Sequence, residues 1–342
     1  MRVLMICPEL PRADRPGSMA PGARQIRSVQ ELGVETEVVD MRGIPKLKYL
    51  QVLPKIRRLI RRVDLVHAHY GYCGWLALLG RKFSLHHVPI VMSFMGDDLL
   101  GTTFNQQGDR EMLSRLQAKL NASIARRYDQ VIVKSQQMAD LIAPTPCHVV
   151  ANGIDVSLFF PQDKDDACQQ VGLDPTRLKV LFPGNPENAV KGYGLACEAV
   201  QVAKQRLNAD IQLVPLWGVA PDKVALYMNA CQVMLMASFT EGSPNVIKEG
   251  LACNMSIVSV PVGDVREMLQ GVDGCCCISS RDPKELGYAL AEQLKVGGGS
   301  LGRNAVLTRG LNLESVARRV ISIYELALNA RSASLQQTTI NS

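Results

Sequence analysis

Short apolar runs alternate with longer stretches of helical period along almost the whole chain, and that rhythm most narrows the folds open to it. RVLMIC (2–7), TEVVD (36–40), DLVHAH (64–69) and HVV (148–150) are separated by segments such as 20–32 and 46–62, whose apolar residues recur every three to four positions. Parallel strands need a crossover connection, usually a helix, so this repetition predicts a parallel sheet covered on both faces. The rhythm pauses in NGIDVSLFFPQDKDDA (152–167) and resumes through LKVLFP (178–183), IQLVPL, QVMLMA, SIVSV and CCCIS. Asn152-Gly153 is a turn signal and 161–166 is polar enough for a linker, which places a hinge there. With 342 residues, 47% of them hydrophobic, the chain can bury two cores. The expectation is an α/β protein of two Rossmann-like doubly wound domains, 1–157 and 158–313, followed by a helix over 314–330 and a flexible polar tail, 331–342.

Composition excludes several classes. No apolar run reaches the length of a membrane span, and no charged region with a long apolar stretch precedes the strand at 3–7, so a cytoplasmic protein is expected. Seven of the ten cysteines are scattered through apolar segments, where a thiol serves as a small hydrophobe. Cys275, Cys276 and Cys277 lack the spacing of a zinc site, and no metal is expected. Residues 44–63, IPKLKYLQVLPKIRRLIRRV, carry seven bases and no acid, with Leu47, Leu50, Leu53, Ile56, Ile60 and Val63 at helical spacing. This segment reads either as a helix resting on anionic lipid or as one packed on the first sheet, with Pro54 breaking or kinking it. Net charge is +6, but aromatic residues make up only 5% and no stacking cluster accompanies the bases, so nucleic acid is not expected as a partner.

The segment FTEGSPNVIKEGLA (239–252) sets two carboxylates, Glu241 and Glu249, eight positions apart across a helix start. Ser243 suits an N-cap and Pro244 the first helical position, leaving the N–H groups of Asn245, Val246 and Ile247 free to meet phosphate. Glu249 then lies roughly 8 Å into the helix at 1.5 Å rise per residue. Two glutamates around a capped helix are also commonplace, so spacing alone leaves the structural reading open beside the binding one.

EGSPNVIKEGLAC followed by IVSVPVGDVREM resembles the Glu-x7-Glu signature region of glycosyltransferase family 4, the group 1 glycosyltransferases. The resemblance implies a GT-B architecture, two Rossmann-like domains facing a cleft, and a retaining, metal-independent transfer from a nucleoside-diphosphate sugar, which is substrate rather than cofactor. It implies that Glu241, with the backbone of Gly242 and Ser243, holds the transferred sugar, that Glu249 holds the ribose, and that Asn245 opens the helix that meets the pyrophosphate. In LFPGNPENAVKGYGLACEAV (181–200) the family places an arginine and a lysine on that pyrophosphate; Lys191 matches the lysine, while Asn185, after Gly184, stands where the arginine would be. The loop 8–24, with Gly17 and Gly22, resembles the family's glycine loop, and reads equally as a plain connection.

SFMGDDLLG (93–101) resembles the strand end that carries a histidine in many members, but here Met95 occupies the position and cannot move a proton. Asp97, taken as the catalytic candidate, and His69 of HAHYG are the available substitutes. Asp163-Lys164-Asp165 mimics a metal-binding triplet but falls in the linker and reads as surface charge. The expected partners are a nucleotide-sugar donor, a saccharide or lipid-linked acceptor in glycan or cell-envelope polysaccharide synthesis, and an anionic membrane surface met through 44–63. The rival readings are a non-catalytic sugar- or nucleotide-binding scaffold subunit, motivated by Met95 and Asn185, and a nucleotide-sugar epimerase.

Overall fold

The computed structural model describes all residues except 13–16, 43–46, 83–86, 103, 104, 106–108, 110, 341 and 342, with side chains omitted for 333–340. Eleven strands are described: β1 (Arg2–Cys7), β2 (Glu35–Asp40), β3 (Leu65–His69), β4 (Ile90–Ser93), β5 (Gln130–Val133), β6 (His148–Val149), β7 (Leu178–Phe182), β8 (Ile211–Pro215), β9 (Val233–Met236), β10 (Ser256–Ser259) and β11 (Cys275–Cys277). They form two all-parallel sheets, ordered β2-β1-β3-β4-β5-β6 and β11-β10-β9-β7-β8. The chain divides into two compact units, one of Met1–Thr102, Met112–Gly153 and the segment from Leu313, the other centred on Ile154–Asn312.

In the first unit β3, β4 and most of β1 are buried on both faces, which is why they read as continuous apolar runs rather than alternating ones. The long helix Leu313–Ile340 packs on this unit through Val316, Ala317, Val320, Ile323, Tyr324 and Ala327, a helical stripe that shares a core with Val3, Met5, Ile26 and Val29. Its backbone stays helical past Arg331, where composition predicts fraying; the side chains from 333 lie outside the described residues.

The helix Lys48–Ile60 runs through Pro54, and its inward face, Val52, Ile56, Leu59 and Ile60, is buried in the sheet core with Val63. Of the apolar stripe legible in 44–63, Ile56, Ile60 and Val63 are core and Leu53 is half-buried, while Leu47 and Leu50 are exposed; Ile44, Pro45 and Lys46 lie outside the described residues. In the second unit the polar stretch expected to be a linker begins a helix instead: Asp163 accepts from Asp165 N at 2.9 Å and Asp166 N at 3.0 Å, capping Lys164–Val171. Asp163 is a helix cap because a carboxylate satisfies otherwise unpaired amides at a helix start.

Candidate functional site: a donor pocket in the second unit

Strand order reverses beside β7, which lies between β8 and β9, and ligands of open α/β sheets gather at the carboxyl ends of strands at such a reversal. The loops leaving β7 and β9 are those that carry Lys191 and Glu241. After β7 the chain forms two tight turns: Asn185 Oδ1 accepts from Glu187 N at 3.0 Å, and Asn188 Oδ1 from Val190 N at 3.0 Å. A single 3-10 turn, Ala189–Lys191, follows, and the long helix Tyr193–Leu207 begins only after Gly192. Gly192 has φ +74°, and a Cβ there would collide with the Ala237 carbonyl oxygen at the end of β9. Phe239 N donates to Val190 O at 2.8 Å, so the two loops are fastened together.

Lys191 Nζ then lies 2.7 Å from Glu241 Oε1. A Cβ on Gly184 would sit 3.0 Å from Lys191 Cγ, so the glycine makes room for the lysine stem. Gly184, Asn185 and Lys191 line a pocket of about 400 Å³ together with Val246 and Glu249 of the helix Asn245–Ala252 and with Trp217. Glu249 is only 8% exposed, a carboxylate set into the wall of the pocket. Lys191, Glu241, Glu249, Asn185 and Gly184 are therefore brought together by three different loops or helices of one unit.

The helix start differs from the expectation. Pro244, at ψ 117°, is the N-cap residue and Asn245 the first helical one; no side chain caps the end. Ser243 is displaced from the cap because its hydroxyl accepts from Lys248 Nζ at 3.2 Å. Burial pushes the neighbouring Asp264 carboxyl up to about 6, against the pull of the Ser243 hydroxyl and the Lys248 ammonium. Gly263, at φ +55°, packs so closely that a Cβ would strike the Gly242 carbonyl oxygen and crowd that of Glu241 at 2.9 Å. Behind the same loop Arg281 donates to Ala237 O at 3.1 Å and Ser238 O at 2.7 Å and lies over the Phe239 ring. Lys248, Asp264, Gly263 and Arg281 were not legible as site residues; the Gly263-Asp264 pair in the loop after β10 was the available signal.

The first unit treats its candidates differently. Gly22 lies inside the helix Ala20–Glu31 rather than in a loop, and a Cβ on it would strike the Met19 side chain. The contact is with the flexible end of that side chain, and the helix places the Gly22 backbone outside the open loop expected. His69 does not face open space: it is fully buried, its ring centroid 4.0 Å from that of His67, and burial with nearby Lys134 holds it down to about 3. His67 bonds Tyr324 Oη at 2.6 Å and Ser93 Oγ at 2.8 Å, tying the last helix to the sheet. Burial, foremost, holds His67 well below the usual histidine range too. Both rings are neutral packing elements.

Asp97 is exposed at the first turn of the short helix Asp97–Leu100. Its neighbour Asp98 is buried and accepts from Met95 N and Gly96 N at 2.9 Å and Gly71 N at 3.0 Å, with burial raising its carboxyl to about 6. Asp98 is what shapes the loop that presents Asp97.

Residues 2–158 match the family model described as Glycosyltransferase Family 4, and residues 192–295 match Glycosyl transferases group 1, together most of the chain. The chain is 26% identical to the D-inositol 3-phosphate glycosyltransferase of Segniliparus rotundus, covering 78% of this chain and 67% of the relative. To D-inositol 3-phosphate glycosyltransferase 1 of Catenulispora acidiphila it is 30% identical, covering 64% and 61%. It spans between 52% and 67% of the length of such relatives. Its fold is similar to that of sucrose-phosphate synthase from Thermosynechococcus elongatus (TM-score 0.75, 16% identity, 96% of this chain and 99% of the other). A similar likeness holds to HepE of Anabaena in complex with UDP-glucose (TM-score 0.69, 15% identity, 95% and 99%). With two Rossmann-like parallel-sheet units of the GT-B type and both family models on its sequence, the chain belongs to the family 4, group 1 glycosyltransferases.

Proposed function

We propose that the protein transfers a hexose-type sugar, with retention and without a metal, from a nucleoside-diphosphate sugar to a saccharide or lipid-linked acceptor in glycan or cell-envelope polysaccharide synthesis. The observation that carries this reading is the Lys191–Glu241 contact of 2.7 Å beside the strand reversal, with Glu249 in the wall of the adjoining pocket. One cation and two carboxylates at those places match the three parts of such a donor.

Lys191 and the uncapped amides at Asn245 take the diphosphate, whose negative charge is favoured at a helix start. Glu241 accepts hydrogen bonds from sugar hydroxyls, with the Gly242 and Ser243 backbone beside it, and Glu249 accepts from the ribose. When the bond between the sugar and the diphosphate breaks, charge builds on the leaving oxygen, and Lys191 supports it there. Asn185 leaves this site with one cation fewer than the family pattern, so Lys191 carries more of the binding. On the acceptor side Asp97 is the exposed carboxylate nearest the Met95 position and is assigned to the acceptor hydroxyl.

The relatives support the donor class: HepE is described in complex with UDP-glucose, and the curated relatives are named as glycosyltransferases. No described helix is long and apolar enough to cross a membrane. A lipid-linked acceptor would be met by a cytoplasmic protein resting on the membrane face. Diphosphate release from UDP-, GDP- and ADP-sugars in the presence of membrane lipid extract tests the reading. Release from one donor, lost in Glu249→Gln, supports it. Stabilisation by one donor without release of diphosphate supports the scaffold-subunit reading that Met95 motivates, and interconversion of free nucleotide sugars supports an epimerase.

A further inference from the structure

The first unit carries a row of aromatic rings that the donor chemistry does not use and that starts beside Asp97. Tyr70, the residue after β3, holds φ +81°, a backbone region that a bulky side chain enters only at a cost. The strain is held in place from several sides. Tyr70 N donates to Ser93 O at 2.9 Å, Gly71 N donates to Asp98 Oδ2 at 3.0 Å, and Tyr70 O accepts from Cys73 N and Gly74 N where the helix Gly71–Lys82 begins. Glycine would take this conformation freely, so stability is given up here to present a ring. Burial, foremost, with the carboxylates of Asp98 and Asp97, holds the Tyr70 phenol above its usual range, so it stays a neutral hydroxyl. That hydroxyl has no hydrogen-bond partner among the described residues.

From Tyr70 the row continues. Its ring centroid lies 5.0 Å from that of Tyr72, which lies 5.4 Å from that of Tyr49. Tyr72 and Tyr49 line a groove of about 420 Å³ with Trp75, Leu76, Leu113 and Leu116. Leu113 and Leu116 are 75% and 64% exposed, so this wall is open to a ligand. Apart from Gln117 and the polar tips of the tyrosines and Trp75, the walls are hydrocarbon and ring. A saccharide buried there would leave hydroxyls unpaired, whereas an apolar group gains by leaving water. Because the row runs unbroken from the carboxylate assigned to the acceptor hydroxyl into this groove, the occupant is part of the acceptor.

We propose that the acceptor is a glycoside with an apolar aglycone, whose sugar ring is placed by Tyr70 and whose aglycone follows Tyr72 and Tyr49 into the groove beside Trp75 and Leu116. Tyr70 is then a specificity-determining residue, and moves no proton itself. The inference rests on the transferase reading and narrows its acceptor to one chemical class, recognised one molecule at a time in a groove rather than through a membrane.

Binding of methyl glucoside and of octyl glucoside below its micelle concentration, read without donor from Trp75 emission in a Trp217→Phe background, tests the groove independently of turnover. Octyl glucoside is expected to bind about a hundredfold more tightly than methyl glucoside, the worth of roughly three to four buried methylenes, and to shift the emission to the blue. The double variant Leu113→Ser with Leu116→Ser, both exposed and expected to melt like the parent, should lower octyl glucoside affinity about tenfold and leave methyl glucoside unchanged. Tyr70→Asn, a residue that tolerates positive φ, should melt like the parent and weaken octyl glucoside about tenfold, the scale of a ring contact with one hydrogen bond. In transfer assays the same variant should raise KM for acceptor and leave KM for donor at the parental value, a split that a merely structural role would not give. Equal affinity for the two glucosides, indifference to the leucine pair, parental affinity in Tyr70→Asn, or a dimer dispersed by the leucine pair would each overturn the proposal. Octyl glucoside binding as expected, with no turnover of any donor, would strike the transferase reading and leave the groove as a glycoside site.

Discussion

The two units share one sheet architecture and spend their ionisable residues in opposite ways. At the strand ends of the second unit, Lys191 and Glu241 meet at 2.7 Å with both side chains partly open, and Glu249 lines the same pocket. In and after the strands of the first, His67 and His69 of β3 are buried and neutral, and Asp98, past β4, is consumed by three backbone amides. Charged, reachable groups recognise a charged ligand; neutral, locked ones hold a sheet together. The proposed donor site therefore draws on the second unit, and from the first the proposal takes the exposed carboxylate of Asp97.

The largest effect that would break this comparison is at Glu241. Glu241→Ala should lower transfer by about a hundred- to a thousandfold, the scale for losing one group that stabilises the transition state, while the melting temperature stays near that of the parent. Asp97→Asn should cost far less; a larger loss at Asp97 than at Glu241 would move the chemistry to the first unit. Lys191→Met should lower kcat/KM roughly 10- to 150-fold, matching about 1.5–3 kcal/mol for a hydrogen bond to a charged group. An unchanged value would mean that the helix start holds the diphosphate alone.

How far these residues were legible differs between the units for a physical reason. The nearness of Lys191 to Glu241, with Glu249 beside them, was expected from the family resemblance of two separate segments, because the spacing within 241–249 alone left a structural and a binding reading open. The parallel sheets were readable because strands buried on both faces leave continuous apolar runs. Ser243 was misread as a cap because its hydroxyl is taken by Lys248 of the same helix and by Asp264, which only tertiary packing brings there, and the 163–165 triplet as linker because a capped helix start is as polar as a loop. His69 looked like a site residue because nothing local distinguishes a strand-end histidine that points outward from one stacked on His67. Met112, Leu113 and Leu116 of the helix Met112–Ile124 have the period of a core helix and yet are exposed, a difference that sequence period cannot show.

Smaller effects sharpen the comparison. Gly263→Val should destabilise the second unit by about 1–3 kcal/mol, since φ +55° and the Gly242 carbonyl both reject a branched side chain, and should reduce transfer by moving the Glu241 loop. Calorimetric melts of the variant and the parent measure it. Tyr324→Phe removes the partner of a buried histidine nitrogen and should cost the first unit about 1–3 kcal/mol without altering donor affinity.

The smallest effect is on pH dependence. His69 binds its proton less tightly folded, at about 3, than unfolded, near 6.5, so its contribution to stability is full above about 6.5 and is lost as pH falls toward 3. Asp98 and Asp264, raised to about 6, work in the opposite sense: they favour the folded state below about 4, and this contribution fades as pH rises through 6. His69→Leu should therefore lose less stability than the parent between pH 7 and pH 5, by at most about 1.4 kcal/mol per pH unit. Parallel curves would show that His69 is not held neutral.

The most direct test of the donor assignment is calorimetric binding of a nucleoside diphosphate and of its sugar derivative to the parent, Glu241→Ala and Glu249→Gln. The division of roles predicts that Glu241→Ala keeps diphosphate affinity but loses the extra affinity due to the sugar, while Glu249→Gln weakens both ligands alike. Binding of both ligands at parental strength in both variants would contradict it.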